Sequence, residues 1–182
     1  MQYRVTANGV FGTKFISHFL FELQHNKLNF KQIFKSLDKF ILLIRKDKVA
    51  QAVSLVLAQQ TEIWHIYINN NSNNLNYQSK LKNIVINDAL FEDIDHKYVF
   101  INQQEEHLKR ILTTYQIEPL EIFYEDIVEN PELQIHQILD YLKITKPQHY
   151  LMKVNTEVKK MPSNISQEII RQFKQRKAPL FS

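Results

Sequence analysis

The sequence predicts an α/β fold with a mostly parallel sheet. Three observations carry this. Residues 40–44 form a continuous apolar run, residues 47–61 switch at once to helical periodicity, and residues 120–124 form a second short strand-like run behind a long helical stretch. A strand apolar at every position is expected to be covered on both faces, as in a parallel sheet. Strands separated by helices are the pattern of parallel pairing through crossovers.

Taken in order, Gly9-Val10-Phe11-Gly12-Thr13-Lys14 reads as a short strand or strand edge, and Phe15, Phe19, Leu20 and Leu23 follow at helix spacing. Residues 30–37 form a second short helix. The apolar run Phe40-Ile41-Leu42-Leu43-Ile44 stops abruptly at Arg45. Behind it Val49, Ala52, Val53, Val56 and Leu57 mark one helix face at i, i+3, i+4, i+7 and i+8. Residues 69–76, rich in asparagine and serine, read as a surface loop. Across residues 88–116, Ile101, Leu108, Leu112 and Tyr115 with charges between them favour a long helix. Leu120-Glu121-Ile122-Phe123-Tyr124 alternates and is short, so it reads as a strand. Asn130-Pro131-Glu132 is a helix start: a capping amide, proline in the first turn, an acid near the positive end. That helix should end near Lys143, with Pro147 closing the connection. Residues 165–176 form a last, basic helix, and the tail beyond Ala178 is expected to be loose.

Composition narrows the function classes. The 182 residues suit one domain spanning 1–182 with a core of its own. Cysteine is absent, which removes disulfides and thiolate metal sites and fits a reducing cytoplasm. The seven histidines form no H-x-x-x-H or H-E-x-x-H pair, so no metal site is expected. The start carries no signal-peptide pattern, and no apolar stretch is long enough to span a bilayer. A net charge of +4 mildly favours an anionic partner, yet no interleaving of aromatic and basic residues supports nucleic-acid binding. Only two glycines occur, Gly9 and Gly12, and no G-x-x-x-x-G-K-[ST] loop is present.

The informative stretch begins where the apolar strand ends. Arg45 lies at the carboxyl end of that strand, where open α/β sheets bind ligands. Asp47 opens the next helix, and Asp47, Gln51 and Ser54 share the face opposite its apolar stripe. A guanidinium at the strand exit and a hydroxyl two turns into the helix can converge on one anion. Read without further context, the pair is first a surface arginine and a serine on a solvated face, since this spacing is common.

The block Arg45-Lys46-Asp47-Lys48-Val49-Ala50-Gln51-Ala52-Val53-Ser54, continuing through Ala58-Gln59-Gln60-Thr61 to Trp64, resembles the most characteristic segment of the bacterial trehalose sulfotransferase family. Residues 8–14 resemble that family's N-G-V-F-G-x-K strand. Ile117-Glu118-Pro119-Leu120 with Tyr124-Glu125-Asp126 resembles its I-E-P-L and Y-E-D-L segment, and Asn130-Pro131 the helix start after it. The resemblance covers about residues 8–145.

It implies a P-loop-type three-layer sandwich. It also implies sulfuryl transfer from 3′-phosphoadenosine 5′-phosphosulfate to a hydroxyl of a carbohydrate or similar acceptor, with no metal. By position it assigns Arg45 and Ser54 to the 3′-phosphate of the donor, and, more weakly, Gln60 and Trp64 to the acceptor, with core packing as the other reading of Trp64. Lys174, Arg176 and Lys177 are either nucleotide contacts or one solvated basic face.

The family's opening strand, its S-G-S-T loop for the 5′-phosphosulfate and the glutamate base after it have no counterpart in this sequence, so an N-terminally truncated domain is expected. Glu22, Glu62 and Glu125 are available carboxylates, but none matches the base. Transfer by this chain alone is therefore expected to be impaired or absent. The alternative is a non-catalytic nucleotide-binding or interaction module, a gene remnant or half of a split enzyme. A missing first strand also predicts association, as a homodimer or otherwise, through an exposed sheet edge.

Overall fold

The structure, a computed structural model, describes residues 9–16, 30–67, 71–145, 158–159 and 163–178. The chain divides into two compact units, the larger comprising Lys39–Gln103 with Glu118–Ser182 and the smaller Met1–Asp38 with Gln104–Ile117.

In the larger unit, β1 (Ile41–Ile44) pairs in parallel with β3 (Leu120–Phe123), in register from Ile41 opposite Leu120 to Ile44 opposite Phe123. The mixed, helix-rich architecture with this small parallel sheet is that of an α/β protein. The level register sets both carboxyl ends side by side, so the residues leaving β1 and β3 are neighbours. The expectation of a strand covered on both faces is corrected for β1. Ile41 and Leu43 are 42% and 55% exposed, whereas Ile44 is buried. Alternate side chains leave opposite faces of a strand, and among the described residues only the Ile44 side of β1 is packed. A run of five apolar residues cannot distinguish that arrangement from full burial.

Helix α2 (Lys48–Thr61) follows β1 after three residues. All five residues of its predicted apolar stripe are buried, together with Ala58 and Thr61. The stripe packs into a core with Tyr77, Leu81, Leu90, Phe91, Ile94 and Ile101, closed by Ile169 and Phe173 of α7 (Asn164–Arg176). Phe173 stacks on Phe91 at 6.5 Å between ring centroids and meets Tyr98 at 6.4 Å. Ser163 and Ser166 form a reciprocal capping box that starts α7.

The asparagine-rich segment is largely helix rather than the expected loop: α3 runs Asn71–Lys82. Asparagine disfavours helix interiors, but Tyr77 and Leu81, one turn apart, are both buried in the core and hold the helix in place. A two-residue strand, β2 (Ile66–Tyr67), pairs antiparallel with β4 (Val158–Lys159). After β3 come α5 (Tyr124–Glu129) and α6 (Pro131–Tyr141), the latter capped by Asn130, whose side chain accepts from the Leu133 amide at 3.1 Å.

The long helix α4 (Asp88–Thr114) bears out the helical reading of residues 88–116. Its last part, from Gln104, belongs to the smaller unit with α1 (Phe30–Lys35). There Phe34 meets Tyr115 edge-on at 5.2 Å. Residues 10–16 are irregular, with Phe11, Phe15 and Ile16 exposed, so the strand expected at residues 9–14 is not formed. Gly9 at φ 79° breaks any extended run at its first residue. Of the helix expected from residue 15, residues 15 and 16 are irregular and the rest lies outside the described residues, as do the tail beyond Ala178 and Pro147.

With so few glycines, helix ends use other residues in the left-handed region. Glu62, Gln116 and Lys143 have φ of 58°, 54° and 55°. The exits of α4 and α6 are both doubly bonded turns. Ile117 N–H donates to Leu112 C=O and Gln116 N–H to Thr113 C=O, and Ile144 N–H donates to Leu139 C=O and Lys143 N–H to Asp140 C=O.

Candidate functional site

The site grows from the two level strand exits. Arg45 is the first residue past β1, Tyr124 the first past β3. The Arg45 guanidinium lies over the Tyr124 ring, 4.6 Å from its centroid, and its Nε stands 3.8 Å from Glu125 Oε1. That distance is too long for a hydrogen bond, so Nε, buried from solvent, has no hydrogen-bond partner among the described residues. The Arg45 side chain as a whole remains 24% exposed. It is thus a stacked, oriented cation with donor capacity unspent.

Glu125 Oε2 accepts from the Lys46 amide at 2.9 Å, and Oε1 takes a longer contact of 3.4 Å from the Asp47 amide. Lys46 Nζ pairs with Asp126 and sits 4.8 Å over the Phe123 ring. Asp47 caps α2, its Oδ1 accepting from the Ala50 amide at 2.9 Å, while Oδ2 receives Lys174 of α7 at 2.9 Å. Three cations and three carboxylates therefore interleave at the mouth of α2, where the helix dipole adds positive potential.

The same contacts set the protonation states. Burial pushes the Asp47 carboxyl up, but the Ala50 amide, the Lys174 ammonium and the Arg45 charge outweigh it and hold it below its ordinary value. Burial likewise raises Glu125, and the Lys46 amide, its own amide, the Asp47 amide and Arg45 more than reverse this. Glu125 is thereby kept ionised with its lone pairs engaged, which makes it a poor general base. Glu62 is highly exposed and lies 3.6 Å from Lys80, and Glu22 lies outside the described residues.

Ser54 is exposed on α2. Counted from the cap at Asp47, it stands two helical turns and about 10 Å along the axis, on the same face as Gln51. Gln51 presents a buried Oε1 with no hydrogen-bond partner among the described residues. One turn beyond Ser54 the face closes, since Ala58 and Thr61 are buried. No direct bond joins Arg45 to Ser54. Gln60 is exposed near the end of α2 and borders a surface cavity of about 480 Å³ with Lys80, Asn83, Asn87 and Asp93. Trp64 is 52% exposed, which rules out core packing for it.

Lys174 and Arg176 of α7 and Lys177 just after it are each ion-paired while remaining exposed or half-exposed. Lys174 binds Asp47; Arg176 pairs with Asp88 at 2.7 Å and covers the Phe91 ring at 4.0 Å; Lys177 pairs with Asp95 at 2.8 Å. Among the described residues no group of three or more His, Asp or Glu side chains is placed to hold a metal ion, and no helix is long and apolar enough to cross a membrane.

A family model described as Stf0 sulphotransferase matches residues 5–176. The chain belongs to the Stf0 sulphotransferase family. The match agrees with the trehalose sulfotransferase resemblance carried by residues 45–64, and it spans nearly the whole sequence. No curated protein and no solved structure matches. Sequence reasoning missed Glu125 as the organiser of the strand-exit cluster around Arg45. Its signals were the Tyr124-Glu125-Asp126 segment and its place at the end of a strand, while its partners lie 78 and 79 residues away in the chain.

Proposed function

We propose that this chain acts as a sulfotransferase whose donor is 3′-phosphoadenosine 5′-phosphosulfate, with Arg45 and Ser54 holding the 3′-phosphate and a hydroxyl of a carbohydrate or similar small molecule as the acceptor. The supporting observation is the state of Arg45. Its guanidinium is stacked on Tyr124, partly open to solvent and short of a hydrogen-bond acceptor, at the carboxyl end of a parallel strand. The open α2 face that starts there ends at Ser54. A phosphate approaching the solvent-open side of the guanidinium would meet a charged, forked donor.

In the reaction, the acceptor oxygen forms a bond to sulfur, the bond from sulfur to the 5′-phosphate oxygen breaks, and 3′-phosphoadenosine 5′-phosphate leaves. The hydroxyl proton passes to a general base, a role assigned to no residue of this chain. The exposed ring of Trp64 and the amide of Gln60 suit an acceptor that combines C–H faces with hydroxyls. Among the described residues, the arrangement around β1, α2 and β3 is also what the P-loop-type sandwich implied by the resemblance would contain.

Titration calorimetry with 3′-phosphoadenosine 5′-phosphate tests the donor assignment. Arg45→Ala should weaken binding by one to two decades, the worth of a charged hydrogen bond of about 1.5–3 kcal/mol. An unchanged dissociation constant would remove Arg45 from the site. Transfer of labelled sulfate to a panel of sugars separates a working enzyme from a module that binds the nucleotide without turnover.

A further inference from the structure

The geometry points to Glu125 as a positioning residue for the anion site. It fixes the turn at residues 45–47, and so presents the Arg45 guanidinium already oriented to an incoming phosphate. This inference rests on the donor assignment proposed above and extends it to the opposite strand exit.

The structural case is the set of contacts between two consecutive triplets, residues 45–47 and 124–126. Tyr124 carries the Arg45 guanidinium on its ring at 4.6 Å. Glu125 takes the Lys46 amide at 2.9 Å and the Asp47 amide at 3.4 Å, and faces Arg45 Nε at 3.8 Å. Asp126 takes the Lys46 ammonium. The parallel register that sets Ile44 opposite Phe123 makes this possible, because the next three residues of each strand then leave side by side.

An arginine side chain has much conformational freedom to lose on binding. Stacking and a carboxylate within ion-pair distance remove part of that freedom in advance, which favours the bound state. Glu125 stops short of consuming the guanidinium: at 3.8 Å its carboxylate attracts Arg45 without occupying Nε as an acceptor. Nε itself is buried, and the side chain, 24% exposed as a whole, is open to an anion on its remaining side. Lys46 and Asp47 are fixed through their backbones, which also sets the start of α2 and the cap that Lys174 grips.

A role confined to joining strand and helix predicts something different, and a double-mutant cycle separates the two. Affinity for 3′-phosphoadenosine 5′-phosphate is measured by calorimetry for the full chain, Glu125→Ala, Glu125→Gln, Arg45→Ala and the Arg45→Ala/Glu125→Ala double variant. Thermal melts confirm that each is folded. Positioning predicts that Glu125→Ala weakens binding by about ten-fold, that Glu125→Gln recovers part of this by keeping an acceptor for the Lys46 amide, and that Glu125→Ala changes affinity less than about two-fold once Arg45 is gone.

Equal losses in both backgrounds overturn the inference, as does unchanged or tighter binding by Glu125→Ala, which would make Glu125 a competitor of the phosphate. Should Glu125→Ala fail to fold, Tyr124→Leu takes its place in the cycle. It removes the ring, leaves both carboxylate contacts, and should weaken binding only where Arg45 is present. If Arg45→Ala itself leaves affinity unchanged, the donor assignment fails rather than the positioning role alone.

Discussion

The first two turns of α2 and its last two turns are parts of one continuous helix with opposite tasks. In the first half, Val49, Ala52 and Val53 face the core, while the polar face carries the half-buried Gln51 and the exposed Ser54. In the second half, Val56, Leu57, Ala58 and Thr61 are all buried, so that more than one face is covered. Thr61 satisfies its buried hydroxyl by donating to Leu57 C=O at 2.7 Å, as a helix enclosed this far requires. The contrast shows how one element can be both anchor and mouth. The second half is held by area removed from water, and the first half is thereby free to carry charge and hydroxyls at a strand exit.

The largest expected effect lies in the anchor. Leu57→Ala, at a residue 2% exposed, should lower unfolding free energy by about 2–5 kcal/mol in a denaturant titration. An effect below about 1 kcal/mol would mean that the second half is not what holds the helix.

An intermediate effect belongs to the mouth and depends on pH. The folded state holds Asp47 below its ordinary 3.8, so its contribution is fully present above that value and is lost as pH falls through the lower folded value. At neutral pH Asp47→Asn should destabilise by about 1 kcal/mol, since asparagine keeps a cap but loses the Lys174 pair, a partly exposed bridge of small worth. The gap between Asp47→Asn and the unaltered chain should close below about pH 4. A gap that widens toward acid would reverse the sign of the argument. Glu125, also lowered, titrates in the same direction in both proteins and so largely cancels from the difference.

The smallest expected effect separates the halves most sharply. Ser54→Ala should change stability by less than about 0.5 kcal/mol, as exposed substitutions do. It should weaken 3′-phosphoadenosine 5′-phosphate by several-fold through loss of one hydroxyl donor. A large loss of stability at Ser54 with unaltered nucleotide affinity would place it with the anchor.

What the sequence disclosed divides along the same lines. The apolar stripe of α2 was legible because its 3.6-residue period holds from Val49 to Leu57, more than two turns, and the long α4 for the same reason. Asn130-Pro131 announced α6 by local chemistry alone. Helix α3 was not legible, because its asparagines argue for a loop and only the core contacts of Tyr77 and Leu81 overrule them. The exposure of Ile41 and Leu43 depends on which neighbours cover a strand, which composition does not encode. In the site, the strand-exit position of Arg45 could be read from where the apolar run stops. The hold of Glu125 on Lys46 and Asp47 could not, since it links residues 78 and 79 positions apart.

The helix exits at Gln116 and Lys143 have a practical consequence. Each places a side chain in a backbone region where Cβ crowds the following carbonyl, at a cost of roughly 1–2 kcal/mol that glycine would avoid. Part of that relief would be returned through the greater freedom glycine gives the unfolded chain. The remainder is a tolerance margin the protein has left unused. It can be drawn on at turns that contribute none of the charged groups around Arg45, so heat resistance can be raised without altering that cluster.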